Sequence, residues 1–260
     1  MKAAGRVATF AMLAALGAFA ARAQIAEADR KSGAAFMSAQ TQDMQRDDAA
    51  NPGMLAALEG ESLWTAKTGG AAKSCADCHG EAKASMKGVA ARYPAFNAAS
   101  AAPMDLQGRI NLCRQDQQQA TPLAPESRDL LALSAFIGLQ SRGMPMAPPD
   151  DSRLTPFRDR GRALWTQRMG QLNFSCAQCH DDNWGKHLGS APIPQAHASA
   201  YPVYRLEWQG MGSLQRRFRN CMSGVRAQAF SYGSQEFIEL ELFLADRARG
   251  MSVETPGVRP

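Results

Sequence analysis

The stretches Cys75-Ala76-Asp77-Cys78-His79 and Cys176-Ala177-Gln178-Cys179-His180 decide how the rest of this chain is read. Each is a C-x-x-C-H run, the attachment pattern of haem c. The two-residue spacer lets both sulfurs reach the vinyl groups on one edge of a porphyrin, and the following histidine is carried under the iron as proximal ligand. Cys75 and Cys78 are expected to hold a first haem with His79 on its iron, and Cys176 and Cys179 a second with His180. Two covalent haem c groups are thus the predicted cofactors. The competing reading is zinc, since each half also offers three Cys and one His, but adjacent Cys and His side chains reach one tetrahedral ion poorly. A thioredoxin-like redox pair fits less well, because no βαβ pattern surrounds either run.

Working outward, the likeness of the two halves continues. Gly60, Leu63 and Trp64 precede the first run as Gly161, Leu164 and Trp165 precede the second, at a constant offset of 101 residues. Beyond the histidines the offset becomes 108: Tyr93-Pro94 matches Tyr201-Pro202, Arg109 matches Arg217, and Cys113 matches Cys221. Arg142-Gly143-Met144 then aligns with Arg249-Gly250-Met251 at an offset of 107. The chain is a tandem duplication.

Each unit reads as helix, haem loop, irregular segment, short Cys-bearing helix and terminal helix. Leu130, Leu131, Leu133, Phe136 and Ile137 in the first unit, and Phe237, Ile238, Leu240, Leu242 and Phe243 in the second, form apolar helical stripes that stop near Gly143 and Gly250. Strand-like alternation is almost absent, which predicts a mainly α fold. The arrangement resembles class I cytochrome c, with Gly60 and Phe136, and Gly161 and Phe243, at the close crossing of first and last helices. Two tandem cytochrome c-like domains, each around one covalent haem c, are therefore expected. The Pro-dense stretch Met144-Pro145-Met146-Ala147-Pro148-Pro149-Asp150-Asp151 cannot continue a helix and marks the boundary: residues 24–147 with an N-terminal extension, then 148–260. Trp64 and Trp165 read as core or haem-packing residues.

Lys2 and Arg6, the apolar run Val7 to Ala20, and Ala21-Arg22-Ala23 form the pattern of a cleavable signal peptide over residues 1–23. Cleavage is expected between Ala23 and Gln24, with export to the periplasm; an uncleaved anchor is the alternative. Loss of Lys2, Arg6 and Arg22 takes the formal charge from +5 to +2. No block of Lys and Arg remains to track phosphates, which argues against nucleic-acid binding, and no apolar run long enough for a membrane span follows the leader. The 45% hydrophobic and 20% charged composition is that of a globular protein.

What occupies the sixth position of each iron decides between electron transfer and chemistry. After His79 and His180 only His187 and His197 remain, both in the second unit. Met104, Met144 and Met146 are candidates for the first. Cys113 and Cys221 are better ones, because they alone keep equivalent places in both units. The alternative for them is a mutual disulfide, as an exported protein permits. Arg109 and Arg217 stand four residues before the two cysteines, one helical turn away on the same face. A guanidinium there favours thiolate and can hold an oxyanion, or else pairs with a haem propionate. Cys221 also has Arg216, Arg219 and Arg226 near it in sequence, with Arg219 expected to face away at the surface, so the second haem is expected to be the one open to a small anion.

The two C-x-x-C-H runs, the paired distal cysteines, the arginine four before each, and Asp47-Asp48-Ala49-Ala50-Asn51-Pro52-Gly53 leading into Gly60-Glu61-Ser62-Leu63-Trp64 together resemble the SoxA family, dihaem subunits of the SoxAX cytochromes of periplasmic sulfur oxidation. The resemblance implies an L-cysteine S-thiosulfotransferase that conjugates thiosulfate to a cysteine of the SoxYZ carrier. It implies Cys221 as distal ligand of the second haem, carried as a persulfide, with Arg217 binding the anionic substrate. It further implies a small monohaem partner, SoxX, and a downstream cytochrome c that accepts two electrons. The alternatives are a dihaem thiosulfate dehydrogenase forming tetrathionate and a non-enzymatic dihaem electron carrier.

Overall fold

The computed structural model describes residues 25–260, so the expected signal peptide and its cleavage point lie outside the described residues. Ten helices run along them: α1 (Ala39–Arg46), α2 (Gly53–Thr65), α3 (Ala76–His79), α4 (Ala82–Ser85), α5 (Leu106–Gln118), α6 (Arg128–Leu139), α7 (Thr155–Thr166), α8 (Cys176–His180), α9 (Leu214–Gly224) and α10 (Gln235–Arg247). The seven strands are two or three residues long: β1 (Ala95–Asn97), β2 (Ala102–Met104), β3 (His187–Leu188), β4 (Ala191–Pro192), β5 (Val203–Arg205), β6 (Gly210–Gly212) and β7 (Gly257–Arg259).

Short polar side chains start four of the longer helices by accepting a free N–H of the first turn. Asp105 accepts from Gly108 N ahead of α5, Ser127 from Leu130 N ahead of α6, Ser213 from Arg216 N ahead of α9, and Ser234 from Phe237 N ahead of α10. The Cys-bearing helices are not short as expected: α5 has 13 residues and α9 has 11. α6 ends on Gln140 and α10 on Ala248, close to the two glycines anticipated as stops.

The same crossing organises both units. α2 packs on α6, and α7 on α10, so closely that a side chain at either crossing glycine has no room. A Cβ on Gly60 would lie 2.1 Å from the Ala132 carbonyl oxygen and 2.7 Å from Phe136 Cβ; on Gly161 it would lie 2.0 Å from the Glu239 oxygen and 3.0 Å from Phe243 Cβ. Each crossing carries its own apolar core. Trp64, Ile110, Leu130, Leu133, Phe136 and Ile137 form one, and Trp165, Phe218, Phe237, Leu240, Phe243 and Leu244 the other. The expected mainly α architecture of two cytochrome c-like units is what the chain adopts.

The proline-dense stretch pairs back on the second unit. Pro145 bridges Ser252, Met146 N–H donates to Met251 O (2.8 Å), and Val253 N–H to Met144 O (2.8 Å). Gly143 and Gly250, both with φ of 82°, let each chain leave its terminal helix and cross to the other unit, Gly143 N reaching Val253 O and Gly250 N reaching Met146 O. Met146 is buried there with Ala91, Ala245, Ala248 and Val253. The segment before α2 lies against the second unit. Asn51 Nδ2 donates to Pro256 O (2.9 Å), Gln45 Oε1 accepts from Val258 N (3.0 Å), and Lys31 sits 5.8 Å from the Trp184 ring.

Candidate active site

In the second unit a capping box starts α8: Ser175 Oγ accepts from Gln178 N while the Gln178 side chain accepts from Ser175 N. That short helix carries Cys176, Cys179 and His180 together. The histidine's Nδ1 lies 2.6 Å from the Pro194 carbonyl, which only accepts, so Nδ1–H donates and Nε2 is left for a metal. Burial pushes His180 down to about 4; the Pro194 bond opposes this, and repulsion by Arg217 and Arg247 adds to it. A neutral imidazole, the form that binds iron, is thereby held at neutral pH. Trp165 stacks on the His180 ring at 5.7 Å between centroids with planes 30° apart.

Pro194 lies between His180 and Tyr201, a stretch seven residues longer than its counterpart in the first unit, which is the source of the step in offset from 101 to 108. This longer stretch holds the β3–β4 hairpin and the turn back to His180. The next residue, Gln195, is fully buried and fastened to the N-terminal segment: its Oε1 accepts from Lys31 N (2.6 Å) and its Nε2 donates to Asp29 O (2.9 Å).

Cys221 on α9 faces the attachment thiols. Burial pushes Cys176 up to about 12 with the Cys221 sulfur adding to the rise, and Cys179 is raised by the same two causes. Arg217, one turn earlier, shares that pocket. Burial opposes its charge, but Cys221, Tyr201 and Glu207 more than offset this and hold the guanidinium above its usual range. Tyr201 is raised by burial while Arg217, Arg259 and Arg205 draw it back. Arg217, Tyr201 and Cys221 therefore form one cluster, of which the tyrosine was legible in the sequence only as a repeat marker. The other arginines go elsewhere. Arg216 stacks on Trp208 at 4.2 Å, and Arg226 is exposed. Arg219 does not stand free at the surface as expected; it is half-buried, donates to the Phe230 carbonyl and lies 4.9 Å from the Tyr232 ring.

The first unit repeats the plan with fewer groups. Trp64 lies 5.7 Å from the His79 ring at 35°, and its Nε1–H donates to Gly80 O (3.1 Å). Burial raises Cys75; the Gln118 amide and Arg114 oppose the rise, and Cys113 adds to it. Tyr93 is raised by burial, with Arg109 opposing and Cys113 adding. Cys113 thus sits against Cys75 as Cys221 sits against Cys176. His79 is exposed where His180 is half-buried. Among the other candidates, Met146 is core, Met144 Cε would touch a Cβ on Gly88 at 3.0 Å, and Met104 packs on the first turn of α5. His187 is exposed on β3, and His197 is buried with Nε2 3.2 Å from Gln195 Oε1.

All six cysteines are free thiols, so Cys113 and Cys221 are not joined. Among the described residues no three His, Cys, Asp or Glu side chains converge as a metal-ion site, which leaves the zinc alternative unbuilt. Each half instead sets two thiols and an imidazole on one short helix, with a third thiol apposed from another. That donor set fits a thioether-linked haem with histidine and sulfur as axial ligands.

The SoxA/TsdA cytochrome c domain model matches this chain twice, over residues 59–146 and 160–253. The chain belongs to the SoxA/TsdA cytochrome c family. It is 39% identical to the L-cysteine S-thiosulfotransferase subunit SoxA of Pseudaminobacter salicylatoxidans, over 88% of this chain and 80% of that one. It is 35% identical to the SoxA subunit of Paracoccus pantotrophus, over 88% and 78% of the two chains. A crystal structure of SoxXA from P. pantotrophus superposes with a TM-score of 0.86 at 34% identity, covering 89% of this chain and 87% of that one. The matches to the SoxA relatives and to the solved structure extend over both units of this chain. Among the described residues no helix is long and apolar enough to cross a membrane.

Proposed function

We propose that this chain is the catalytic dihaem subunit of a periplasmic L-cysteine S-thiosulfotransferase, joining thiosulfate to a cysteine of a SoxYZ-type carrier and working with a SoxX-type monohaem partner. The observation that carries this is Arg217 and Cys221 on one face of α9, with Cys221 against the attachment thiols of the second unit. A half-buried guanidinium that makes no ion pair with a carboxylate among the described residues is suited to the sulfonate oxygens of thiosulfate. Cys221, whose sulfur would be polarisable and nucleophilic as a persulfide, is the group beside it. Cys75, Cys78, His79 and Cys113 would hold one haem, and Cys176, Cys179, His180 and Cys221 the other. When bound, the haems supply one-electron acceptors.

The balanced reaction joins the carrier thiol and the outer sulfur of thiosulfate in a new S–S bond, with loss of one proton and two electrons. In the favoured route the outer sulfur of thiosulfate bonds to the Cys221 persulfide, and two electrons leave in turn toward a downstream cytochrome c. The carrier thiolate then attacks that transferred sulfur, breaks its bond to the outer persulfide sulfur and so regenerates the Cys221 persulfide. Arg217 holds the sulfonate through both steps.

The test is Cys221→Met in the mature complex. Haem content is expected to remain while carrier-dependent transfer is lost; continued transfer would make the protein a plain electron carrier. Tetrathionate formed from thiosulfate without any carrier would favour a thiosulfate dehydrogenase instead. Mass spectrometry of the intact protein is expected to show two covalent haems and additional sulfur on Cys221.

A further inference from the structure

Around His180 lies a charged assembly that, among the described residues, has no counterpart around His79. Asp181 Oδ2 accepts from Trp165 Nε1 (2.7 Å) and its Oδ1 from Arg247 Nη2 (2.5 Å). Arg247 lies 5.0 Å over the Trp165 ring, the same indole that stacks on His180. Its Nη2 also approaches Gln195 O at 3.4 Å, the residue after the carbonyl that holds His180. Both side chains are shielded, at 5% exposure for Arg247 and 12% for Asp181.

The duplication supplies an internal control. The positions equivalent to Asp181 and Arg247 are Gly80 and Gln140. In the first unit Trp64 donates to the Gly80 carbonyl, and Gln140 Nε2 to Phe136 O (2.9 Å). Stack, helix crossing and attachment thiols are otherwise reproduced, so the fold does not require the ion pair. Burying two charges has a desolvation cost that their attraction only partly offsets, which makes the pair a poor choice for stability alone. Charges beside an axial ligand, in surroundings of low dielectric, are instead an effective lever on the iron they flank.

We propose that the Asp181–Arg247 pair, coupled through Trp165 to His180, sets the proximal electrostatics and hence the reduction potential of the second haem, leaving the first untouched. Arg247 disfavours the more positive ferric state and Asp181 favours it, so the two act in opposite directions and nearly balance. Both are positioning residues, acting on iron through His180. The proposal rests on the reading that a haem is attached at Cys176 and Cys179.

Potentiometric titration of the holo-protein tests it, with the first haem as reference inside the same molecule. Asp181→Asn is expected to raise the second potential and Arg247→Gln to lower it, each by about tenfold in the haem–mediator equilibrium, or roughly 59 mV for one electron. Combining the two is expected to return the value close to the parent, and Arg247→Lys to stay near it. Trp165→Phe, which removes the indole N–H on Asp181 while keeping an aromatic ring and both charges, is expected to lower the potential; it decides the matter if the charge variants do not mature. Unmoved potentials, or shifts of one sign in both charge variants, overturn the proposal. A single haem per chain in a pyridine haemochrome count would remove the premise instead, so the two failures are distinguishable.

Discussion

Arg217 owes its place to a four-residue spacing that puts it above Cys221, and its charge to what surrounds it there. On the proposed role, replacing it by alanine would remove charge-assisted hydrogen bonds to the sulfonate worth about 1.5–3 kcal/mol. The expected loss in kcat/KM for thiosulfate is therefore about 10- to 100-fold, with haem spectra unchanged; steady-state kinetics at fixed carrier concentration check this, and an unaltered dependence on thiosulfate would deny the role. At this scale the sequence was informative where chemistry imposes spacing. The attachment cysteines, their histidines, and Cys113 and Cys221 keep fixed places in both halves. Tyr201, Gln195 and Arg247 were not recognised, because each reaches the site from a separate segment, and Asp181, next to His180, was not because its position in the first unit holds Gly80. Only Tyr201 had a matching partner in the first unit, and that match marked the repeat without indicating the cluster it joins.

Helix crossings were readable for a different reason. Gly60 and Gly161 stand at the same distance before the two haem motifs, the resemblance to class I cytochrome c paired them with Phe136 and Phe243 at a close approach, and both pairs meet there. Gly161→Ala sets a methyl 2.0 Å from the Glu239 carbonyl oxygen, so α7 and α10 must separate. Overpacking of this kind costs about 1–3 kcal/mol, and denaturant titration of the holo-protein is expected to show it as a lower midpoint; Gly60→Ala should behave alike. The strands escaped notice because two or three residues carry no period to read. Their pairing is decided by what lies across from them: β5 joins β6 next to it and β7 from the far end of the chain. The hairpin β3–β4 and the turn at Pro194 were visible only as a change of offset.

On the scale of the whole molecule the two units meet through polar groups as well as through the Met146 cluster. Gln215 on α9 donates to Asp105 Oδ2 (3.1 Å), tying the start of α5 to the second unit. Burial raises Asp105, with the Gly108 N–H opposing; Glu241 on α10 is raised well above the usual carboxylate range by burial, with Asp105 adding and the Gln215 amide opposing. An acid raised on folding contributes stability while protonated and loses it as pH climbs from its unfolded value, about 4.3 for glutamate, through the folded one. The contribution of this contact is thus expected to decline from mildly acidic toward neutral pH. Glu241→Gln is expected to flatten that decline and add on the order of 1 kcal/mol at neutral pH, measured by denaturation across a pH series; an unchanged slope would show that the pair does not titrate there.

The segment from residue 25 to Asn51 lies along the second unit, with Gln45 and Asn51 seated on residues 256–258 and Asp29 and Lys31 on Gln195. A polypeptide delivered from its amino terminus can close the first helix crossing well before those partners emerge. Most of the opening stretch must then wait for the second half to follow. What arrives first is fastened late, and a chain shortened by four residues at its carboxyl end would lose the clasp of Gln45 on Val258 while keeping those on Pro256 and Gln195.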